Sequence, residues 1–137
     1  MNERGAAVVE TLLLALILLV PLVWALSVLA DLHRAALATT AAAREAGFDA
    51  ARATSPAEAE RRVEAAIATA LSNHGLDPAR ADVEWAAAGL ERGAALQLRV
   101  SYDVPVVRAP FLGSVSGPSI AVSAAHVARI DPYRSRP

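Results

Sequence analysis

The strongest constraint in this sequence is an apolar block, Thr11 to Ala30, that contains no charged residue. About twenty residues at ~1.5 Å rise make a helix of roughly 30 Å, which matches the hydrocarbon core of a bilayer. We therefore predict one membrane-spanning helix. Glu10 lies just inside its start, five residues after Gly5, which itself follows Arg4. A carboxylate inside a membrane is costly and suggests a function that involves a partner group.

The apolar block must be either a lasting anchor or a cleavable signal peptide. A signal peptide has an apolar region of about 7–15 residues, and this block is longer and begins at an acid, so we favour the anchor. Val28-Leu29-Ala30 would still serve as a signal-peptidase site, which keeps the second interpretation open. Arg4 and the initial amine favour a cytoplasmic N-terminus, against a single Arg34 beyond the block. We expect the remainder of the chain outside the cytoplasmic membrane.

Composition and residue spacing indicate no chemistry elsewhere in the chain. The chain has 137 residues, a net charge of -1 and no cysteine, so disulfides and thiolate metal sites are excluded, and no basic run suggests nucleic acid as a partner. Its histidines, His33, His74 and His126, fall on three separate predicted elements without ligands at metal-site spacing. No nucleophile has a base beside it. We predict no enzyme, no metal and no cofactor.

The segment after the block should continue the same helix through Leu32 to Ala53. It is rich in alanine and has no strong helix breaker before Pro56. Its small residues would let another helix approach closely, or they would simply form a solvated stalk; the sequence supports both. Pro21, inside the block, removes the backbone bond to the Ile17 carbonyl and predicts a mild kink.

A second, amphipathic helix is predicted to begin at Ser55. Serine as cap, proline at the first position and Glu58 three residues after the cap form a compact helix start. Asn73-His74-Gly75 should end this helix, since glycine is common just past a helix end. One face carries its apolar residues at spacings of three and four: Ala59, Val63, Ala66, Ile67, Ala70 and Leu71.

Three strands should follow, because the apolar period changes to two. The apolar positions are Val83, Trp85 and Ala87; then Leu96, Leu98, Val100, Tyr102 and Val104; then Ile120, Val122 and Ala124. The predicted fold class is α+β: a long N-terminal transmembrane helix, then an amphipathic helix packed on a small antiparallel three-stranded sheet. The predicted parts are a leader 1–5, a transmembrane and stalk helix 6–53, an extracytoplasmic domain 54–130 and a disordered tail 131–137. So small a core should need packing against the long helix or a partner subunit.

Glu10 has two interpretations from the residues alone. Its carboxylate either lies at the membrane edge, in contact with water, or pairs with a positively charged group of another subunit. Cleavage after Gly5 would give Ala6 a free charged amine, which could meet the Glu10 carboxylate of a neighbouring subunit. At ~4 Å and an effective dielectric of ~20 such a pair is worth about 4 kcal/mol before desolvation. This pairing would fix the axial register of an assembly.

These residues resemble a known family. Gly5 followed by an apolar helix with Glu10 at its fifth position resembles the class III signal of type IV pilins and pseudopilins. The proline-containing span, together with Ala43-Arg44-Glu45-Ala46 and Ala51-Arg52, is similar to the TadE-like proteins of Flp-type (tight adherence) pilus systems. The resemblance covers Arg4 to Arg52, and from Ala53 onward only size and general layout match.

The resemblance implies a structural role. A membrane-embedded prepilin peptidase would cut between Gly5 and Ala6, and Glu10 would be the assembly acid. The product would be a single-pass minor pilin or pseudopilin of the cell envelope, whose partners are other pilins, the pilus assembly platform and membrane lipid. Two other readings stay open: an uncleaved, membrane-anchored binding module, and a secreted domain released after Ala30.

Overall fold

The computed structural model of the chain describes residues 3–86, 93–106 and 117–131. Its elements are helix α1 (Glu3–Ala51), helix α2 (Pro56–Asn73), a 3-10 turn (Pro78–Arg80), and strands β1 (Ala81–Ala86), β2 (Ala95–Pro105) and β3 (Ser119–Arg129). The strands form an antiparallel sheet in the order β1-β2-β3, which confirms the predicted α+β class. Contacts divide the chain into two compact units, Met1–Asp31 and Leu32–Pro137.

The sheet is a continuous ladder in which β2 is the central strand. Val100 pairs with Val83 of β1 on one side and with Ala124 of β3 on the other. The predicted third strand is present but longer, because its pairing with β2 continues beyond Ala125 as far as Arg129. Two predicted features lie outside the described residues, namely the strand position Ala87 and the part of the tail 131–137 that follows Asp131.

The two faces of the sheet differ in burial, as the period of two predicts. Along β2 the apolar residues Leu96, Leu98, Val100, Tyr102 and Val104 are buried, whereas Gln97, Arg99 and Asp103 are exposed. The buried side is the inner face, and both helices contribute residues to the same core cluster. On β3 the inner position Ile120, near the end of the strand, is still 44% exposed. The other face of the sheet carries no helix among the described residues.

Helix α2 begins and ends where the sequence predicts. The Ser55 hydroxyl accepts a hydrogen bond from the Glu58 backbone N–H at 3.2 Å, and the helix ends at Asn73 before Gly75, whose φ is +69°. Such a positive φ is cheap only for glycine. The buried residues of α2 are the predicted set: Ala59, Val63, Ala66, Ile67, Ala70 and Leu71.

In the first turn of α2, Glu58 is the centre of a small network of hydrogen bonds and an ion pair. Its carboxylate accepts hydrogen bonds from the Thr54 hydroxyl and from the Thr54 backbone N–H (2.7 Å), and it forms an ion pair with Arg62 at 2.7 Å. Because the two bonds from Thr54, and then Arg62, favour the charged form, they lower the pKa of Glu58 from 4.5 to about 2. The helix N-terminus also favours a negative charge at this position.

The second half of α1, Leu32 to Ala51, belongs to the core of the domain. A row of its small residues is almost fully buried: Ala35, Ala38, Ala42, Ala43, Ala46 and Ala50. Thr39 is also buried, and its hydroxyl is satisfied within the helix by the carbonyls of Ala35 (2.9 Å) and Ala36 (3.2 Å). The segment that the sequence left open between a solvated stalk and a helix-packing surface therefore packs against the chain's own sheet and α2. The expected packing of the small core on the long helix is observed.

Candidate functional site

The first half of α1 exposes its large apolar side chains. Apart from Val28, which is partly buried, those between Val8 and Leu29 range from 49% exposed at Trp24 to 74% at Leu18. In the described part of the chain, α1 is the one helix long and apolar enough to cross a membrane, judged by length and composition. Exposed apolar surface of this extent is unfavourable in water and favourable in lipid. The chain therefore carries an N-terminal segment suited to a membrane.

The polar side chains within this segment satisfy themselves. The Thr11 hydroxyl donates to the Ala7 carbonyl at 2.9 Å, and the Ser27 hydroxyl donates to the Val23 carbonyl at 2.8 Å. Such bonds to the preceding turn leave no unpaired hydroxyl in hydrocarbon, where an unsatisfied polar group costs several kcal/mol. The helix also continues through Pro21 without interruption. Apart from Glu10, this segment is compatible with lipid on all sides.

Glu10 is the exception within the segment. It is exposed, and its carboxylate makes no hydrogen bond or ion pair with the part of the chain that the structure describes. It is also the one charged residue between Ala6 and Ala30. A lone carboxylate there is stabilised either by water at the membrane edge or by a cation from another molecule. The structure thus leaves Glu10 available to a partner.

The predicted processing position lies in the first turns of the same helix. Gly5 and Ala6 are both helical, so the Gly5–Ala6 peptide bond is part of α1. Glu10 follows Gly5 by five residues, which corresponds to ~7.5 Å along a helix axis. Glycine is about 1 kcal/mol less favourable than alanine inside a helix, and Gly5 therefore makes this end of α1 easier to unwind.

The histidines lie far apart in the fold. His33 is exposed on α1, His74 caps the end of α2, and His126 lies on the inner face of β3. Among the described residues no group of three His, Cys, Asp or Glu side chains could hold a metal ion. The prediction that these residues form no metal site concerns the whole chain and stays a prediction.

Sequence reasoning missed a close contact between α1 and β3. A Cβ atom added to Gly47 would lie 2.8 Å from Cδ2 of His126, so α1 approaches the sheet at the distance that glycine permits. The Phe48 ring also packs near His126, and the centroids of the two rings are 5.3 Å apart. The buried Nε2 atom of His126 has no hydrogen-bond partner. A glycine inside an alanine-rich helix was the available signal, since glycine there usually has a packing reason.

In comparisons with known proteins, no protein-family model, no curated protein and no solved structure matches the chain.

Proposed function

We propose that the chain is a structural, membrane-anchored subunit of a pilus assembly system, a TadE-like minor pilin or pseudopilin. Its α1 segment inserts into the cytoplasmic membrane with the N-terminus on the cytoplasmic side. A prepilin peptidase then removes Met1 to Gly5, and the mature chain begins at Ala6. The Glu10 carboxylate pairs with the new amine of a neighbouring subunit, and the domain 54–130 lies outside the membrane.

The observation that carries this proposal is the placement of Glu10. A single carboxylate without a partner among the described residues lies near the start of a helix that exposes most of its other side chains, which are apolar. An acid retained at such a position is explained by a cation from another molecule, because one available partner stabilises the charge and sets the register. The glycine five residues earlier supplies the site at which that cation could be created.

The test separates processing from assembly. In cells that contain a prepilin peptidase, Gly5→Ala should leave the chain starting at Met1, as read by N-terminal sequencing of membrane-extracted protein. Glu10→Ala should be processed to Ala6 and yet be depleted from purified filaments and assembly complexes. Glu45→Ala, an exposed acid of α1 outside the apolar segment, is the matched control and should behave as wild type. Normal processing of Gly5→Ala together with normal assembly of Glu10→Ala would refute the proposal.

A second candidate function is a secreted domain released after Ala30. It is favoured by one observation: the compact unit that contains both helices' core residues and the sheet begins at Leu32. The same sequencing experiment distinguishes the candidates. A start at Ala6 supports the pilin, a start at Met1 supports an uncleaved anchored binding module, and a start at Asp31 without membrane association supports secretion.

A further inference from the structure

A groove of about 450 Å³ lies between helix α2 and strand β1. Its apolar walls are Val63 and Ile67 of α2 and Val83 and Trp85 of β1, and these two strand residues are only partly buried. Among the described strands β1 pairs with β2 alone, so it is an edge of the sheet. The groove is therefore open along a strand that has one free side.

The pairing of β2 shows which backbone groups of β1 are free. Val106 donates its N–H to the Pro118 carbonyl and Ile130 donates to the Ala94 carbonyl, so even-numbered positions of β2 face β3. The N–H and C=O of one residue in an antiparallel strand point to the same side, and successive residues alternate. Odd-numbered positions of β2 such as 99 consequently face β1.

Arg99 pairs with Glu84, so the backbone N–H and C=O groups of Glu84 point toward β2. The same groups of its two neighbours in β1 point away from β2. Val83 and Trp85 therefore present their N–H and C=O groups to the open edge. Neither residue makes a hydrogen bond through these groups within the described part of the chain. An added strand would find two donors and two acceptors in the spacing that a β-ladder requires.

Acidic side chains flank this edge on both sides. Glu60 and Glu64 of α2 line the rim of the groove, and Asp82 and Glu84 are exposed on the outer side of β1. No ion pair joins any of these four carboxylates to another described residue. Carboxylates gathered around a cleft give it a negative potential that favours a basic ligand.

We propose that this groove binds an extended, basic segment of another polypeptide, added to β1 as a fourth strand. The segment alternates apolar residues, which contact the partly buried side chains of Val83 and Trp85, with lysine or arginine residues on its opposite face, beside Asp82 and Glu84. Backbone hydrogen bonds to Val83 and Trp85 give affinity, and the carboxylates select the charge. This inference does not rest on the proposed pilus role, because it uses the domain alone.

The binding experiment uses the full chain in nanodiscs of phosphatidylcholine, with empty nanodiscs as the blank. Two labelled, end-capped heptapeptides are compared by fluorescence anisotropy, one alternating valine with arginine and one alternating valine with glutamate. The arginine peptide should bind saturably and the glutamate peptide should not. In a Trp24→Phe background, where Trp85 is the remaining tryptophan, binding should also change the tryptophan emission.

Two sets of variants test the mechanism. Val83→Pro removes the outward N–H while keeping the ladder to β2, as prolines on strand edges do, and it should weaken binding roughly tenfold. Val83→Ala keeps that N–H and shortens the same side chain, so it should weaken binding less than Val83→Pro does. Glu60→Gln and Glu64→Gln should each weaken binding about two- to fivefold, less at high salt, whereas Glu45→Gln should not.

The outcomes are decisive in both directions. Saturable binding of the arginine peptide that is weakened by Val83→Pro and by the Glu60 and Glu64 variants supports the proposal. Equal binding of both peptides, binding insensitive to Val83→Pro, or no binding to a folded chain overturns it. Self-association of the chain that Val83→Pro abolishes would assign the groove to a second copy and would also overturn it. Folding of each variant is checked by its thermal transition.

Discussion

The two halves of helix α1 use hydrophobicity in opposite ways. The first half, Ala6 to Ala30, is rich in leucine and valine and exposes them, whereas the second half, Leu32 to Ala51, buries mainly alanines. Leu18 is 74% exposed and Ala42 is 0% exposed. The more apolar half of one continuous helix is thus the less buried one within the chain.

This contrast separates two reasons for apolar residues in a helix. Large side chains are favoured where the surroundings are lipid, because each buried methylene contributes about 0.8 kcal/mol. Small side chains are favoured where two elements of the same protein must approach closely, as α1 does to β3 at Gly47. Hydropathy alone would predict that the first half is the more buried one, whereas within the chain the second half is. Four experiments test this contrast and the packing of the domain, from the largest expected effect to the smallest.

The largest effect should come from a charge in the first half. Leu18→Asp near the middle of the apolar block should raise the free energy of membrane insertion by about 3 kcal/mol. The same change at Leu37, which is 51% exposed in the second half, should leave insertion unchanged. Alkaline extraction of membranes measures the inserted fraction of each variant. If both variants stay in the membrane equally, the assignment of the two halves to different surroundings is wrong.

Enlarging an alanine to leucine should affect the second half of α1 more than the first half, the opposite of the charge substitution. Ala42→Leu overfills the packed core and should lower the free energy of unfolding of the domain by about 1–3 kcal/mol. Ala15→Leu, the same substitution on the exposed half, should leave that free energy unchanged. Urea unfolding followed by Trp85 fluorescence in the Trp24→Phe background gives both values. A stabilised Ala42→Leu would show that α1 does not approach the sheet closely.

A double-mutant cycle should measure that approach directly. Gly47→Ala alone should give none of the ~1 kcal/mol that alanine normally adds in a helix, because its Cβ would meet the His126 ring at 2.8 Å. In a His126→Ala background the gain should return, so the coupling energy should be about 1 kcal/mol. Additive effects of the two substitutions would contradict the contact.

The smallest effect concerns acidity at the start of α2. Since the pKa of Glu58 is lowered from 4.5 to about 2 on folding, its ionised form stabilises the domain fully above pH 4.5, and this contribution is lost as the pH falls toward 2. Glu58→Gln should therefore be less stable than wild type at pH 6, and the difference should vanish near pH 2. Unfolding curves across this range measure it. Glu10→Gln, a substitution in the apolar segment, keeps Glu58, so the stability of its domain should follow the wild-type curve across this pH range.

Most of the fold outside the apolar segment could be predicted from local patterns. The cap at Ser55 and the apolar face of α2 are encoded within a few residues, and β2 carries a full period of two from Leu96 to Val104. The role of α1 beyond Leu32 could not be predicted, because alanine is compatible both with water and with close packing. What decides between them is a contact with β3, which is distant in sequence.

The candidate sites divide in the same way. Glu10 is predicted because its charge interrupts an apolar run, which a sequence shows directly, whereas the processing role of Gly5 and Ala6 is an expectation that the family resemblance implies. The groove beside Val83 was not predicted, since it depends on where α2 lies on the sheet and on which side of β1 remains open. The proposed processing at Gly5 would depend on recognition by a second protein, so contacts within this chain cannot reveal it.

The contact between Gly47 and His126 also affects the order of events during synthesis. Gly47 belongs to α1 and His126 to β3, so this part of α1 stays uncovered until the ribosome has added α2, β1, β2 and β3. During this delay the uncovered surface is a row of alanines, which attracts other nascent chains far less than a row of leucines would. The small side chains that permit tight packing at the end would thus also protect the unfinished polypeptide from aggregation.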